Sequence, residues 1–195
     1  MNVLIIGATG TIGGTVRERL LQNPQIHLTS LARHADRLTE AVNEILVSAD
    51  LFDVAQLAEV IKDQDFVFVA VSGDMVGAAK AVVTAMEKTG VKRLAFISSM
   101  GIYNEVPGKD PQAPIPAILR PYRQAADLIE NSALNYTIIR PGWFTRGPVD
   151  YQITHKGEPF GGHDVSLNSI ANLVSRLVQQ PTLYNQESIG INTPS

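Results

Sequence analysis

Cysteine is absent from the 195-residue chain. That removes thiol nucleophiles, Cys-based zinc sites and any disulfide framework, and it is compatible with a reducing compartment. Charge of one sign is lacking too: Lys plus Arg is 16 and Asp plus Glu is 19, a net −3. A weakly acidic chain has no electrostatic footprint for nucleic acid or an anionic membrane surface. Long hydrophobic runs are missing. The first, Val3 to Ile6, stops at Gly7 with no basic segment before it, so no secretory signal is expected. Nothing approaches the roughly 20 apolar residues of a membrane helix. The expectation is a cytoplasmic protein. Neither G-x-S-x-G nor G-x-x-x-x-G-K-[ST] occurs, which leaves out the hydrolase elbow and the ATP loop. The four histidines, His27, His34, His155 and His163, have no metal-ligand spacing, so no metal is expected. His163-Asp164 adjoins Gly161-Gly162 in a predicted loop, where solvent exposure is the expectation and a pH-dependent or substrate-facing role the alternative.

What is present is a globular balance. Apolar residues make up 45% and charged residues 18%, enough to build one core without a staple. No linker, repeat or low-complexity stretch divides the chain. Val3–Ile6 reads as a strand buried on both faces, and Ile12, Val16 and Leu20 form a helical stripe over 11–21. Strands follow at 26–31, 44–47 and 66–71, the last being apolar throughout. Asp53 is placed to cap a helix through Val60, and Met75, Ala79, Val82, Val83 and Met86 share one face of a helix ending at Gly90. Strands are predicted at 94–97, 136–139 and 188–191. A helix opens at Pro116 or Pro121 and runs to about Asn131, and Ser166 caps a last helix that Pro181 ends. The alternation predicts an α/β fold: a Rossmann-type doubly wound parallel sheet in a single domain over 1–195. The stretch from about 143 to 195 has room only for a small substrate lobe.

The loop Gly7-Ala8-Thr9-Gly10-Thr11-Ile12-Gly13-Gly14 joins the first strand to the first helix. Its G-x-x-G-x-x-G spacing is one residue longer at the front than the dinucleotide fingerprint, with the same mechanics. One glycine turns the chain, one admits a pyrophosphate, one packs helix on strand, and the helix N-terminus offers free N–H groups. About 20 residues on, an NAD site wants an acid for the ribose hydroxyls. This chain has Leu31-Ala32-Arg33-His34 there. Arg33 suits a 2′-phosphate, so NADP(H) is favoured over NAD(H).

Gly-Ala-Thr-Gly-Thr-Ile-Gly at 7–13, Leu-Ala-Arg at 31–33, Asp50, Ser98-Ser99 and Thr-Ile-Ile-Arg-Pro-Gly at 137–142 occur in that order. Through them the chain resembles the atypical short-chain dehydrogenase/reductases, in particular the small NmrA-like and biliverdin/flavin-reductase-like group. The resemblance implies that Asp50 and Leu51 border the adenine and that Ala70, Val71 and Ser72 border the adenosine ribose. It implies that Ser98 and Ser99 face the nicotinamide side and a substrate carbonyl, that Pro141 and Gly142 pass close to the nicotinamide, and that Trp143 and Phe144 stand where substrate sits. Each carries a plainer alternative: Asp50 as a helix cap, Ala70 to Ser72 as strand packing, a serine satisfying its own backbone, and the two aromatics as core.

The family's Tyr-x-x-x-Lys pair is not here. Counting back from 137–142, Leu119 stands at the tyrosine position and Arg123 at the lysine position. Arg123 can still hydrogen-bond a ribose but cannot deliver a proton. Tyr103 and Tyr122 are the available substitute acids, with packing or substrate-wall roles as the alternative. A missing acid favours acceptors that take hydride readily, such as a small quinone or flavin, over simple ketones. The reading is an NADP(H)-dependent oxidoreductase acting on a small-molecule acceptor. Its alternative is a non-catalytic redox sensor of the NmrA-like type with a protein partner.

Overall fold

The computed structural model describes residues 1–194. Its main sheet joins β1 (Asn2–Ile6), β2 (His27–Ala32), β3 (Glu44–Ser48), β4 (Phe66–Val69), β5 (Arg93–Ile97), β6 (Asn135–Pro141), β8 (Gln152–His155) and β10 (Glu187–Asn192). The order is β3-β2-β1-β4-β5-β6-β10-β8. All neighbours are parallel except the outer pair β10 and β8. The winding direction reverses between β1 and β4, and in such sheets ligands bind outside the carboxyl ends at that switch point. This is the Rossmann-type doubly wound sheet that the alternation predicts.

The buried strands alternate faces, and each face has its own helices. Leu4, Ile6, Val67, Val69, Leu94 and Phe96 pack with α2 (Val54–Ile61), α3 (Met75–Thr89) and α4 (Arg120–Glu130). Val3, Ile5, Phe66, Phe68, Ala95 and Ile97 pack with α1 (Thr11–Leu20) and α5 (Leu167–Gln179). The predicted caps are in place. Asp53 accepts from the Gln56 amide, Ser166 from the Ser169 amide, and Gly90 ends α3 at φ +77°. Pro121, not Pro116, lies in the first turn of α4, after a 3-10 turn at Ala117–Leu119.

Several boundaries move. β4 ends at Val69 because Ala70, after its amide meets the Ile6 carbonyl, turns against the glycine loop. β6 continues through Pro141. Three short strands escaped the sequence: β7 (Trp143–Thr145), β8, and β9 (Asp164–Ser166). They are three or four residues long and largely polar or half-exposed, so they carry no periodic signature. β7 and β9 pair in parallel as a separate ribbon. Of the residues after Gly142, β8, α5 and β10 join the main layers, which leaves only this ribbon and its connections outside them.

One buried ion pair fixes α1 against the outer strands. Glu44, on β3, is 4% exposed. It accepts from Arg17 Nε and Nη2, each at 2.5 Å, from Ser30 Oγ at 2.6 Å and from the Ala41 amide at 3.1 Å. Burial raises the Glu44 carboxyl, but these hydrogen bonds outweigh it and hold the group below the ordinary carboxylate range. A depressed native pKa contributes stability that is present above the unfolded value and lost as the pH falls through the native one. Glu44→Gln, which leaves the Arg17 charge without its partner, is expected to cost about 3–5 kcal/mol in denaturant unfolding. It is also expected to flatten the stability loss that the wild type shows below about pH 4.5.

Candidate functional site

The glycine loop closes the carboxyl end of β1 against both neighbouring strands. The amides of Gly7 and Ala8 both donate to the Leu31 carbonyl of β2, at 2.9 and 3.2 Å. Gly7 stands at φ +94°, and a Cβ there would collide with the Ala70 carbonyl after β4. A Cβ on Gly13 would collide with the Gly7 carbonyl. These two positions demand glycine for separate reasons, a left-handed backbone and a close helix–strand approach. Gly14 differs: a Cβ there would meet Ala8 O at 3.6 Å, an ordinary contact.

The α1 N-terminus is chemically bare. Asp53, Asp74 and Ser166 cap α2, α3 and α5 with side chains. The N-cap of α1 is Gly10, with no side-chain bond and no acid in the first turn. Thr9, Gly10 and Thr11 are exposed and Ile12 is buried. The amides of Thr11, Ile12 and Gly13 precede the first intrahelical bond, from Gly14 to Gly10 at 2.7 Å. Free donors, the positive end of the helix dipole and a cradle that side chains would fill make a site for a pyrophosphate. A nicotinamide dinucleotide fits these residues, and when bound it supplies the hydride chemistry.

Arg33 is exposed just past β2, two residues beyond the Leu31 carbonyl that anchors the loop. Among the described residues it makes no ion pair. Arg37, in the short helix that follows, is likewise exposed. It is a second cation that the sequence reading did not single out.

On the adenine side, Asp50 is exposed, and its Oδ1 accepts from the Phe52 amide at 3.0 Å. It stabilises its own turn; the α2 cap is Asp53. Leu51 is buried in the core, so its side chain faces packing partners. Ala70 and Val71 are half-buried beside the loop and Ser72 is exposed.

At the end of β5 the two serines divide. Ser98 is 5% exposed and its Oγ has no hydrogen-bond partner among the described residues. Ser99 satisfies itself locally, donating to the Met100 carbonyl at 3.1 Å. Beside them, Pro141 is buried and its carbonyl accepts from the Met100 amide at 3.2 Å. A Cβ on Gly142 would collide with the His163 carbonyl. Trp143 and Phe144 are 65% and 51% exposed, which overturns core packing as their alternative role.

Tyr103 does not serve as a free acid. Its hydroxyl donates to Glu130, the last residue of α4, at 2.7 Å, and lies 3.2 Å from Ser188 Oγ on β10. Burial raises its pKa far above the ordinary phenol value, and Glu130 adds to the rise. Three cations surround the ring, Lys156, Arg123 and Arg140, at 4.5, 4.8 and 5.2 Å from its centre. Arg123 is committed there as well. It bonds Asp127 at 2.7 Å and the Ile102 carbonyl at 3.4 Å, which opposes a ribose-binding role. Tyr122 packs against the core with Leu119. Arg140, within the 137–142 stretch, is fully buried and paired with Glu105. Glu105 also accepts the amides of Gly101 and Tyr103, at 3.0 and 2.9 Å, so this pair fixes the chain leaving Ser98 and Ser99. A charge inside a buried strand was a visible signal for Arg140; Glu105, in a loop, gave none.

A groove of about 530 Å³ lies at the opposite, amino edge of the sheet, between Asp65, Gly90 and Thr182. Arg93 beneath it is spent on the carbonyls of Leu94, Asn135 and Leu183 and on Thr137 Oγ. The carboxyl edge therefore remains the candidate site.

The comparisons with known proteins agree with this geometry. A family model described as NAD(P)H-binding matches residues 7–181. The chain is 30% identical, over 195 residues, to the NAD(P)H azoreductase of Xenophilus azovorans, a match covering 95% of this chain and 65% of that protein. The chain thus spans about two thirds of that relative's length. A Rossmann-fold NAD(P)-binding family protein from Shigella flexneri is 36% identical with a TM-score of 0.86, over 100% of this chain and 94% of that one. A short-chain dehydrogenase/reductase from Veillonella parvula DSM 2008, solved in complex with NADP, shares the fold at a TM-score of 0.89 and 22% identity, over 100% of this chain and 95% of that one.

Two neighbouring glycines offer a direct check. Gly13→Ala is expected to weaken NADPH binding at least about tenfold by calorimetry, a loss of about 1.4 kcal/mol, because the loop must open to admit the methyl group. Gly14→Ala is expected to leave binding intact and to stabilise the protein by up to about 1 kcal/mol through helix propensity.

Proposed function

The chain belongs to the NAD(P)H-binding family, and from that premise we propose that it is an NADP(H)-dependent oxidoreductase passing hydride to a small conjugated acceptor such as a quinone or flavin. The observation that carries the cofactor half is the uncapped α1 N-terminus, with Arg33, which has no ion-pair partner among the described residues, two positions past the Leu31 carbonyl that anchors the loop. In this reading the amides of Thr11, Ile12 and Gly13 hold the pyrophosphate and Arg33 holds the 2′-phosphate through paired, charge-assisted hydrogen bonds. Gly7, Ala70, Val71, Ser72 and Asp50 line the adenosine half. Ser98, whose buried hydroxyl lacks a partner among the described residues, binds a carbonyl or amide oxygen at the nicotinamide end, since a buried donor left unmade is costly. Pro141 walls that end, and the exposed Trp143 and Phe144 face the acceptor.

The acceptor half rests on chemistry that the chain does not provide elsewhere. Leu119 and Arg123 replace the Tyr and Lys, and Tyr103 is locked onto Glu130. Acceptors that need no strong acid suit such a site, and the azoreductase relative reduces its substrate with NAD(P)H by name. A second reading, a redox sensor that binds the dinucleotide without turnover, draws on the same commitment of Tyr103 and Arg123 to structure.

Binding and turnover in one sample separate the two readings. NADPH is expected to bind more tightly than NADH, and Arg33→Ala is expected to weaken NADPH alone, by about 10- to 100-fold. Absorbance at the nicotinamide band is expected to fall on adding quinones or free flavin. Equal affinity for both dinucleotides would overturn the Arg33 assignment, and tight binding with no absorbance loss across the panel would replace the reductase with the sensor.

A further inference from the structure

We propose that His163 is the proton donor to the acceptor, oriented by Asp164 and Trp143. The inference rests on the reductase reading above and supplies the acid which that reading lacks.

Backbone contacts put His163 at the right edge. The Trp143 amide donates to the His163 carbonyl at 2.8 Å, and the Thr193 amide to the Asp164 carbonyl at 2.7 Å. Gly142 packs so closely on His163 that only glycine fits. The Met100 amide joins Pro141 on the other side. Ser98–Met100, Pro141–Gly142 and His163–Asp164 therefore run side by side along the carboxyl edge of the sheet. The ends of β5 and β6 bring the first two there, and the β7–β9 ribbon brings the third.

The side chains then orient the ring. His163 Nδ1 lies 2.5 Å from Asp164 Oδ1. The imidazole stacks on Trp143, with planes 8° apart and centres separated by 6.0 Å. With Nδ1 engaged, Nε2 is the nitrogen left for transfer, and among the described residues it has no hydrogen-bond partner. A carboxylate behind an imidazole is the arrangement that fixes which nitrogen works. Asp164 is the one charged group that the hydrogen bonds and ion pairs of the described residues bring to His163. The ring is 71% exposed, open to an acceptor arriving at this edge. The other candidate acids are spent: Leu119 has no proton to give, Arg123 keeps its own, Tyr103 is held by Glu130 and Tyr122 packs against the core.

The step balances as a two-electron reduction. A quinone takes a hydride from the reduced nicotinamide, which is left oxidised. The displaced electron pair moves through the conjugated ring to the far oxygen, which takes the proton from His163 Nε2. The imidazole regains its proton from solvent.

His163→Gln, assayed with NADPH and 1,4-naphthoquinone, is expected to lower kcat about 100-fold. It is expected to leave NADPH affinity unchanged and to be partly rescued by added imidazole. A second readout needs no turnover. Trp143 is the single tryptophan, so naphthohydroquinone added to the cofactor-free protein is expected to change its emission. Wild-type kcat in His163→Gln would overturn the inference and leave the reductase reading standing. An emission unmoved by the hydroquinone would place the acceptor elsewhere and overturn it too. A wild type that binds NADPH and reduces no acceptor would overturn the reductase reading, and this inference with it.

Discussion

Everything at the carboxyl edge depends on how closely three strand ends can approach. The Leu31 carbonyl receives two amides from the turn after β1, while the Ala70 carbonyl presses on Gly7 from the other side. A side chain at Gly7 would push the segment after β4 off the loop, and one at Gly13 would lift α1 off the end of β1. With both absent, α1 starts immediately above the switch point and its first-turn amides stay free. The anion site is thus a consequence of packing density as much as of any polar group.

Buried charge does the corresponding work further out. Glu44, at the start of β3, and Arg17 hold α1 to that strand. Glu105 and Arg140 hold the chain after β5 to β6. Each carboxylate also accepts backbone amides, so each pair fixes a loop as well as two elements. Such pairs contribute little net stability over an apolar filling, but they leave few alternative arrangements for the loops they bind. Tyr103 belongs to the second network. Its ring is surrounded by three cations and its hydroxyl is taken by Glu130, which makes it a spacer between α4 and β10 rather than a reagent.

The doubly wound fold, the boundaries of α1, α2 and α3, and the three side-chain or glycine caps were legible because their signals are local. Apolar runs, a 3.6-residue stripe and a capping residue all fall within one or two turns of chain. The family resemblance rested on similarly compact motifs, and the match over residues 7–181 upholds it. The short strands β7, β8 and β9 were not legible, being too brief to show a period. The site was legible in the same proportion. The glycine loop and Arg33 lie within one βαβ unit, while the partners that decide Tyr103, Arg123 and Ser98 come from distant segments.

By itself, then, the sequence determined which backbone conformations are cheap and which faces must be buried, and from these the sheet order and the anion cradle follow. Only the tertiary structure decided which polar groups are already spent. Arg140 meets Glu105 across 35 positions, Tyr103 meets Ser188 across 85, and His163 comes to lie against Gly142. No local pattern encodes these pairings. They arise because a parallel sheet sets side by side strand ends that the chain separates by whole crossovers, so a residue's chemistry depends on neighbours that the strand order supplies.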